Sequence, residues 1–236
     1  MLRFVFVGVI AFLVHVGAWA QTPELLLQDE KEFFVTQGGD KLSERPLRFW
    51  VEDVDLGTSV PENLWSWEGE AQSFELPGGY VRVAQFPADI LLEAAMAVQD
   101  GRLRVKGMVR NRAENLGERM LQLRLFVPLD STPVETHSIA GMAATYAAAG
   151  FSSNELAIGA GYPLGEFRAG MDRISWDEEL RAIVFEKDLY LTADSLESPN
   201  RAVFEFVLFD YEGGKGFEGV RSAYEGLYSS SEDEDP

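Results

Sequence analysis

The sequence predicts an all-β protein, an antiparallel β-sandwich that carries one short helix at its C-terminal end. Three observations support this prediction. Short runs of alternating apolar and polar residues recur from Leu47 onward, and turn-forming dipeptides such as Asp100-Gly101 separate them. A helical period is found in one stretch only, close to the C-terminus. The chain has 236 residues, 46% of them hydrophobic, which is enough to bury the core of a single sandwich domain.

The first 20 residues have the features of a signal peptide. Arg3 precedes an apolar run over residues 4–16, and an Ala-Trp-Ala cleavage motif occupies 18–20. The apolar run is 13 residues long, whereas a membrane-spanning helix needs about 20. We therefore expect cleavage before Gln21, a secreted or periplasmic protein, and no membrane insertion after cleavage.

The composition excludes several kinds of partner and site. The formal charge is −19, and it becomes −20 in the 216 residues left after the leader, because Arg3 is lost and no acid is lost. This charge argues against a nucleic acid as partner. The chain has no cysteine, which excludes disulfides and thiolate metal sites. His137 is the single histidine after the leader, so zinc sites built on paired histidines are excluded. We interpret it as a loop histidine.

Residues 21–46 are predicted to form a polar lead-in, and residues 47–228 the sandwich domain. The first strand of the domain is the alternating LRFWVED, which begins at Leu47. A second strand, YVRVAQF at 80–86, follows a Pro-Gly-Gly turn.

The clearest unit is a hairpin around Asp100-Gly101, a dipeptide that favours a tight turn with positive φ. In the strand after this turn, apolar and basic residues alternate. Leu103, Val105 and Val109 face one side, and Arg102, Arg104, Lys106 and Arg110 face the other. The next strand, ERMLQLRLFVPL, repeats the pattern and adds Arg124 to the basic side. We expect these three strands to be antiparallel neighbours in one sheet with one face in water.

The second half of the chain adds two strands and the helix. The strands are LRAIVFEKDLYL at 180–191 and RAVFEFVLFD at 201–210. Residues 138–161 are rich in Ala and Gly and fit neither period, so a short helix, a lid and a strand pair all remain open. The helix has one apolar stripe, formed by Phe217, Val220, Tyr224, Leu227 and Tyr228. The acidic tail at 229–236, SSSEDEDP, is predicted to be disordered.

Two tryptophans in ENLWSWEGE form the first candidate site. Trp65 and Trp67 lie two residues apart in a polar stretch, and aromatic rings on loops are surfaces on which sugar rings stack. The alternative, favoured by how often tryptophan is buried, is that both side chains pack inward as core residues.

The basic row is the second candidate site. Its charge in an otherwise acidic protein could bind uronic or sulfated sugars through Arg104, Lys106 and Arg124. The alternative is a solvated face with cross-strand ion pairs, for which Glu93 on the neighbouring strand is an obvious partner.

A carboxylate cluster is the third candidate. Glu52, Asp53 and Asp55 could offer oxygen ligands to calcium, but their spacing matches no EF-hand loop. Apart from calcium we predict no cofactor. With 39 acidic residues no catalytic carboxylate pair can be selected, so no catalytic residue and no metal ligand is assigned.

Several segments resemble one known family. GYPLGEFRAG, VFEKDLYLT and RAVFEFVLFDYEGGKGFEGVRSAYEGLYS resemble the closing part of the β-sandwich domain that precedes the catalytic barrel in large secreted bacterial proteins of glycoside-hydrolase type. GRLRVKGMVRNRAENLGERMLQLRLFVPLD is similar to the middle of that domain. The resemblance covers residues 80–228. It implies a fold like the galactose-mutarotase supersandwich, with a short helix that leads into the barrel.

The chain departs from that family in two ways. The family usually has Trp-Gly-Phe-Arg at the entry to the helix, whereas this chain has Lys-Gly-Phe-Glu at 215–218. The given sequence also contains no barrel after the helix, and the resemblance places the catalytic carboxylates in the barrel. No catalytic residue is therefore carried over, and we expect the helix to be a linker helix that has become a C-terminus.

The sequence thus predicts a secreted, non-catalytic module that binds carbohydrate or is accessory to a glycoside hydrolase. One alternative is a small mutarotase-like or lyase-like enzyme that uses the concave sheet face. Another is an interaction subunit for a separately encoded catalytic barrel. For that case we expect Phe217 and Val220 to pack on the sandwich, while Tyr224, Leu227 and Tyr228 form a partner interface.

Overall fold

The computed structural model describes residues 22–28, 32–54, 72–86, 89–112, 118–139, 147–153, 156–164, 166–192 and 200–229. These residues form fifteen strands, one 3-10 turn over Gly213–Lys215 and one helix, α1 (Gly216–Ser229). The strands are β1 (Pro23–Gln28), β2 (Glu32–Gln37), β3 (Asp40–Lys41), β4 (Arg48–Asp53), β5 (Gln72–Leu76), β6 (Gly79–Phe86), β7 (Ile90–Gln99), β8 (Arg102–Asn111), β9 (Arg119–Pro128), β10 (Glu135–Ile139), β11 (Ala148–Ser152), β12 (Ala157–Gly161), β13 (Asp172–Asp177), β14 (Ala182–Leu191) and β15 (Arg201–Asp210). The predicted leader and residues 230–236 of the acidic tail lie outside the described ranges.

Two antiparallel sheets enclose the main core. One has eight strands in the order β10-β11-β12-β15-β8-β7-β6-β5, and the other has four in the order β13-β14-β9-β4. Aromatic rings from the two sheets meet between them. The ring centroid of Phe185 on β14 lies 4.9 Å from that of Phe206 on β15, and Phe49 on β4 lies 6.1 Å from Phe204. The prediction of an all-β antiparallel sandwich with one short C-terminal helix is confirmed.

The predicted hairpin is present, but its third strand is in the other sheet. β7 and β8 pair around Asp100 and Gly101, whose φ angles are 51° and 72°. β9 was expected beside β8, yet it pairs with β4 and β14. That expectation was wrong because alternation identifies the inward side of a strand and not the sheet that it joins. As a result Arg124 and Arg104 lie on opposite outer faces of the sandwich.

The segment predicted as a polar lead-in contains three strands. β1, β2 and β3 form a small antiparallel sheet, and β2 places Phe33 and Val35 in the main core. The ring of Phe33 lies 5.5 Å from that of Tyr80 on β6. The lead-in prediction is wrong for this segment, because the apolar run of β2 is too short to show a period. The residues on either side of β2 in the sequence are polar, but in the fold the sandwich covers β2.

Residues 138–161, left open by sequence, include the end of β10, the strand pair β11 and β12, and residues outside the described ranges. The small residues of these strands make room for larger ones that pack over them. A Cβ atom at Gly150 would overlap the side chains of Val220 and Tyr211, and one at Gly161 would come within 2.7 Å of the Tyr224 ring. Apolar and polar residues do not alternate in this segment, because the helix covers the face that would otherwise be in water.

Helix α1 packs on the outer face of the eight-stranded sheet. Val220 and Tyr224 are fully buried in a second apolar cluster, with Val207 and Phe209 of β15 beneath them. The Tyr224 hydroxyl donates a hydrogen bond to the Tyr162 carbonyl. β15 is thus covered on both faces, since its alternate residues belong to the main core.

The structure differs from the predicted division of the helix stripe at Phe217 and Tyr224, whereas Val220 packs inward as expected. Phe217, expected to pack inward, is 41% exposed, and Tyr224, expected to face a partner, is 0% exposed. Leu227 and Tyr228 are half-buried against the same sheet. Side chains of a helix point toward its N-terminus. Phe217 is in the first turn and therefore projects past the start of the helix.

In the part of the chain that the structure describes, α1 is the single helix of more than one turn, and it is too short and too polar to cross a membrane.

Candidate binding cleft

The residues predicted from sequence to bind sugar do not form one site. Trp65 and Trp67 lie outside the described residues. Arg104 and Lys106 lie on β8, and Arg124 lies on β9 in the other sheet. Of the three predicted residues that the structure describes, Arg104 and Lys106 lie together and Arg124 lies apart from them.

Arg104 and Lys106 both pair with one buried acid. The Arg104 Nε atom donates a hydrogen bond of 2.7 Å to the Glu205 Oε1 atom, and the Lys106 Nζ atom lies 3.5 Å from Oε2. Glu205 is 2% exposed. Burial, and then the charge of Glu205, raise the pKa of the Glu166 carboxyl, while Arg104 and Lys106 act in the opposite direction. Both cations therefore pair with the Glu205 carboxylate, so neither is an unpaired positive charge for an anionic sugar.

Arg124 belongs to a cross-strand ladder on the four-stranded sheet. Its Nε atom donates to Glu186 at 2.8 Å, its Nη1 atom lies 3.6 Å from the Glu52 carboxylate, and its guanidinium lies 5.7 Å from the Trp50 ring. Arg110 on β8 likewise pairs with Glu93 at 3.4 Å. The basic row thus follows the alternative of a face with cross-strand ion pairs.

The predicted calcium ligands are not assembled in the described residues. Glu52 is paired with Arg124, and Asp55 and the side chain of Asp53 lie outside the described part of the structure. Among the residues that the structure describes, no three His, Asp or Glu side chains are arranged to hold a metal ion.

A cleft of about 430 Å³ lies beside the start of α1, on the outer face of the eight-stranded sheet. It is lined by Val134, Glu135, Ser152, Ser153, Leu156, Ala157, Gly213 and Gly214. Backbone hydrogen bonds from Val134 to Ser152, 2.7 Å, and from Ser153 to Leu156, 2.8 Å, fix its walls. A Cβ atom at Gly213 would lie 3.1 Å from Ala157, so glycine lets the turn approach the sheet closely here.

Two polar side chains come together in this cleft through strand pairing. Glu135 on β10 lies opposite Ser152 on β11, and the Glu135 Oε2 atom is 3.2 Å from the His137 Nε2 atom. The Glu135 side chain is 60% exposed. A Cβ atom at Gly216 would lie 3.4 Å from the His137 ring, so this ring is beside the start of α1. The single histidine after the leader is thus a strand residue beside the cleft, and not a loop residue.

Tyr211 adds a buried hydroxyl next to the cleft. Burial raises its pKa, the adjacent Ser152 hydroxyl lowers it, and the Glu135 charge raises it further. The two hydroxyls lie close together, but within the described residues no partner meets the Tyr211 hydroxyl in good hydrogen-bond geometry. Glu135 and Ser152 therefore present one carboxylate and one hydroxyl to a ligand, and the buried Tyr211 hydroxyl lies behind Ser152.

Sequence reasoning missed Glu135, Ser152 and Tyr211 as site residues. Glu135 and Ser152 are 17 positions apart in the chain and become neighbours only through the pairing of β10 with β11. A usable signal was the strand-like spacing of Glu135 and His137, two residues apart.

No protein-family model matches the sequence, and no curated protein is similar to it. Solved structures that match the chain include a polysaccharide lyase, at a TM-score of 0.48 and 13% identity, over 86% of this chain and 34% of that one. They also include a protein provisionally named as a kojibiose phosphorylase from the human microbiome, at a TM-score of 0.46 and 8% identity, over 91% of this chain and 29% of that one. Both proteins are named for activities on carbohydrates, and this chain spans about a third of the length of each.

Proposed function

We propose that this chain is a secreted, non-catalytic β-sandwich module that binds carbohydrate in the cleft beside α1 and is accessory to a glycoside hydrolase. The observation that carries the proposal is the position of the Glu135 carboxylate opposite the Ser152 hydroxyl in a cleft of about 430 Å³. Pockets for small ligands generally measure about 300–1,000 Å³. The resemblance of residues 80–228 to a glycoside-hydrolase sandwich domain points in the same direction.

The chemistry of the cleft suits a sugar. The Glu135 carboxylate accepts hydrogen bonds at two oxygens, and the hydroxyls of Ser152 and Ser153 in the lining both donate and accept. Sugar hydroxyls also donate and accept, so each can be satisfied here. Leu156 and Ala157 give the cleft an apolar wall for the C–H face of a sugar ring.

The cleft lining also supports binding over hydrolysis. Glycoside hydrolysis commonly uses two carboxyl groups about 5–10 Å apart. Of the eight described residues that line the cleft, Glu135 is the one that carries a carboxylate.

Calorimetric titration of the protein with neutral oligosaccharides tests this function. Glu135→Gln should weaken binding by at least about tenfold, because it removes a charge-assisted acceptor. Glu75→Gln is the matched control, since Glu75 is an exposed acid on β5, the opposite edge strand of the same sheet. Equal affinity of wild type and both variants would rule out the cleft as the binding site. Secretion is tested separately, by recovery of processed protein that begins at Gln21 from outside the cytoplasmic membrane.

One observation favours an enzyme as second candidate. His137 and Glu135 are 3.2 Å apart, and a histidine with a carboxylate partner is a common general acid or base. In a mutarotase-like or lyase-like enzyme this pair would move a proton at a sugar carbon or oxygen. Turnover of a sugar epimer or a uronate polymer that is abolished by His137→Ala would replace the non-catalytic proposal with this one.

A further inference from the structure

The charge distribution around the cleft bears on the class of sugar that it takes. Glu135 is the charged residue among the eight described lining residues. The side chain that pairs with it at 3.2 Å, His137, carries an imidazole and not a permanent cation. On the turn that forms the far wall, the Lys215 Nζ atom is 2.6 Å from the Glu212 carboxylate. The lysine nearest to the cleft along the chain is therefore already paired with an acid.

Three basic side chains of the predicted row, Arg104, Lys106 and Arg124, are also paired with acids. Arg104 and Lys106 on β8 pair with Glu205 on β15, and β11 and β12 separate β15 from the strand that carries Glu135. Arg124 pairs with Glu186 on the opposite outer face. An anionic sugar in the cleft would therefore place a second negative charge close to Glu135 without a nearby compensating cation among the lining residues. Like charges a few ångströms apart repel, and the formal charge of −19 on the whole chain adds to the repulsion.

We propose that the cleft selects neutral glycans and rejects uronic and sulfated ones. This inference rests on the proposed carbohydrate-binding function and names the class of ligand for the same cleft. A neutral sugar donates its hydroxyls to the Glu135 carboxylate with no charge repulsion. Selectivity therefore comes from one exposed carboxylate, and the basic row of the sequence has no part in it.

The test compares a neutral glucose oligosaccharide with a glucuronate oligosaccharide of the same length, titrated into the full chain. Wild type should bind the neutral sugar at least about tenfold more tightly. Glu135→Gln should reduce this ratio from both sides: the variant binds the neutral sugar more weakly, and it binds the glucuronate sugar more tightly than wild type does because the repelling charge is gone. Raising the salt concentration from about 0.05 to 0.5 M should also reduce the ratio in wild type, since salt screens exposed charges.

Controls separate the possible failures. Glu75→Gln should leave the ratio unchanged, and an unchanged unfolding midpoint should show that Glu135→Gln is folded. Equal or tighter binding of the glucuronate sugar would overturn the selectivity while leaving the carbohydrate-binding function intact. A ratio that does not respond to Glu135→Gln would overturn the assignment of selectivity to this carboxylate. Absence of binding by either sugar would overturn the proposed function and this inference together.

Discussion

The guanidinium of Arg102 lies over the ring of Tyr228, 4.7 Å from its centroid, and donates a hydrogen bond of 3.1 Å to the Leu227 carbonyl. Both contacts join the start of β8 to the last turn of α1. Burial raises the pKa of the Tyr228 hydroxyl, and the Arg102 charge partly offsets that rise. A cation at the C-terminal end of a helix is also favourable for the helix dipole.

Replacing Arg102 should loosen the end of the helix. Arg102→Met keeps the apolar stem but removes the cation–π contact and the hydrogen bond, at a cost of about 1–2 kcal/mol of unfolding free energy. Arg221→Ala is the control, because Arg221 makes an exposed pair with Glu225 at 2.9 Å, worth about 0.5 kcal/mol or less. Denaturant unfolding measures both. Equal losses would mean that Arg102 does not hold the helix.

The stripe of α1 predicts unequal costs of truncation. Tyr224→Ala should cost about 3–5 kcal/mol, because it empties a fully buried site. Tyr224→Phe keeps the ring and removes the hydroxyl, which donates to the Tyr162 carbonyl and interacts with the Tyr228 side chain, and should cost about 1 kcal/mol. Phe217→Ala, at an exposed position, should cost about 1 kcal/mol or less. Denaturant unfolding of the three variants gives the order, and a larger loss for Phe217→Ala would contradict the docking seen here.

Two glycines, one on β11 beneath the helix and one within the helix, predict opposite effects of substitution by alanine. Gly150→Ala would overlap Val220 and Tyr211 and should destabilise by about 1–3 kcal/mol, as overpacked sites do. Gly226 lies within α1, and a Cβ atom added there would meet no other atom within 4 Å. Gly226→Ala should therefore stabilise the protein by up to about 1 kcal/mol, because alanine favours the helix over glycine. Thermal unfolding compares the two. A neutral Gly150→Ala would show that the helix can shift away from β11.

Lys187 and Asp172 form a buried ion pair that should not tolerate loss of one member. The Lys187 Nζ atom is 3.1 Å from the Asp172 Oδ2 atom, and both side chains are nearly inaccessible. Lys187→Met leaves an unpaired buried carboxylate and should cost about 3–5 kcal/mol. Adding Asp172→Asn should recover part of the loss. Lys215→Met, from the exposed pair with Glu212, is the control and should cost about 1 kcal/mol or less. Denaturant unfolding measures the free energy of unfolding of each variant.

Glu166 predicts a pH dependence of stability. Its folded pKa is raised above the ordinary 4.5, mainly by burial and then by Glu205. The stability that this carboxyl contributes is therefore fully present below pH 4.5 and is lost as the pH rises through the folded pKa. Glu166→Gln should be more stable than wild type at neutral pH, and the difference should shrink in acid. Melting temperatures across this range test the sign, with Glu75→Gln as control. A variant less stable than wild type at neutral pH would contradict it.

Sequence patterns predicted those parts of the fold that local chemistry determines. Asp100 and Gly101 tolerate positive φ, so the β7–β8 hairpin was predictable, and so was the core-facing row that begins at Leu103. The sequence could not predict which sheet β9 joins, because strands of both sheets alternate apolar and polar residues in the same way. The existence of the helix followed from its period. The exposure of Phe217 could not be predicted from this period, because exposure depends on where the sheet beneath the helix ends.

The cleft could not be predicted for a related reason. Glu135 and Ser152 meet through the pairing of two short strands. One of those strands is made of small residues that lie beneath the helix, so it shows no alternation. Tyr211 follows β15 directly and comes close to Ser152 only because the β12–β15 pairing brings those chain ends together.

Coverage of β15 on both faces has a consequence for the order in which parts of the protein open. Phe204 and Phe206 belong to the core between the sheets, whereas Val207 and Phe209 belong to the cluster under α1. The helix can therefore separate from the sheet by a local opening that leaves the sandwich closed. Amide hydrogens of α1 should exchange with solvent through this smaller transition. Those of β15 should exchange only when the whole domain unfolds, which makes this strand the slowest-exchanging part of the protein.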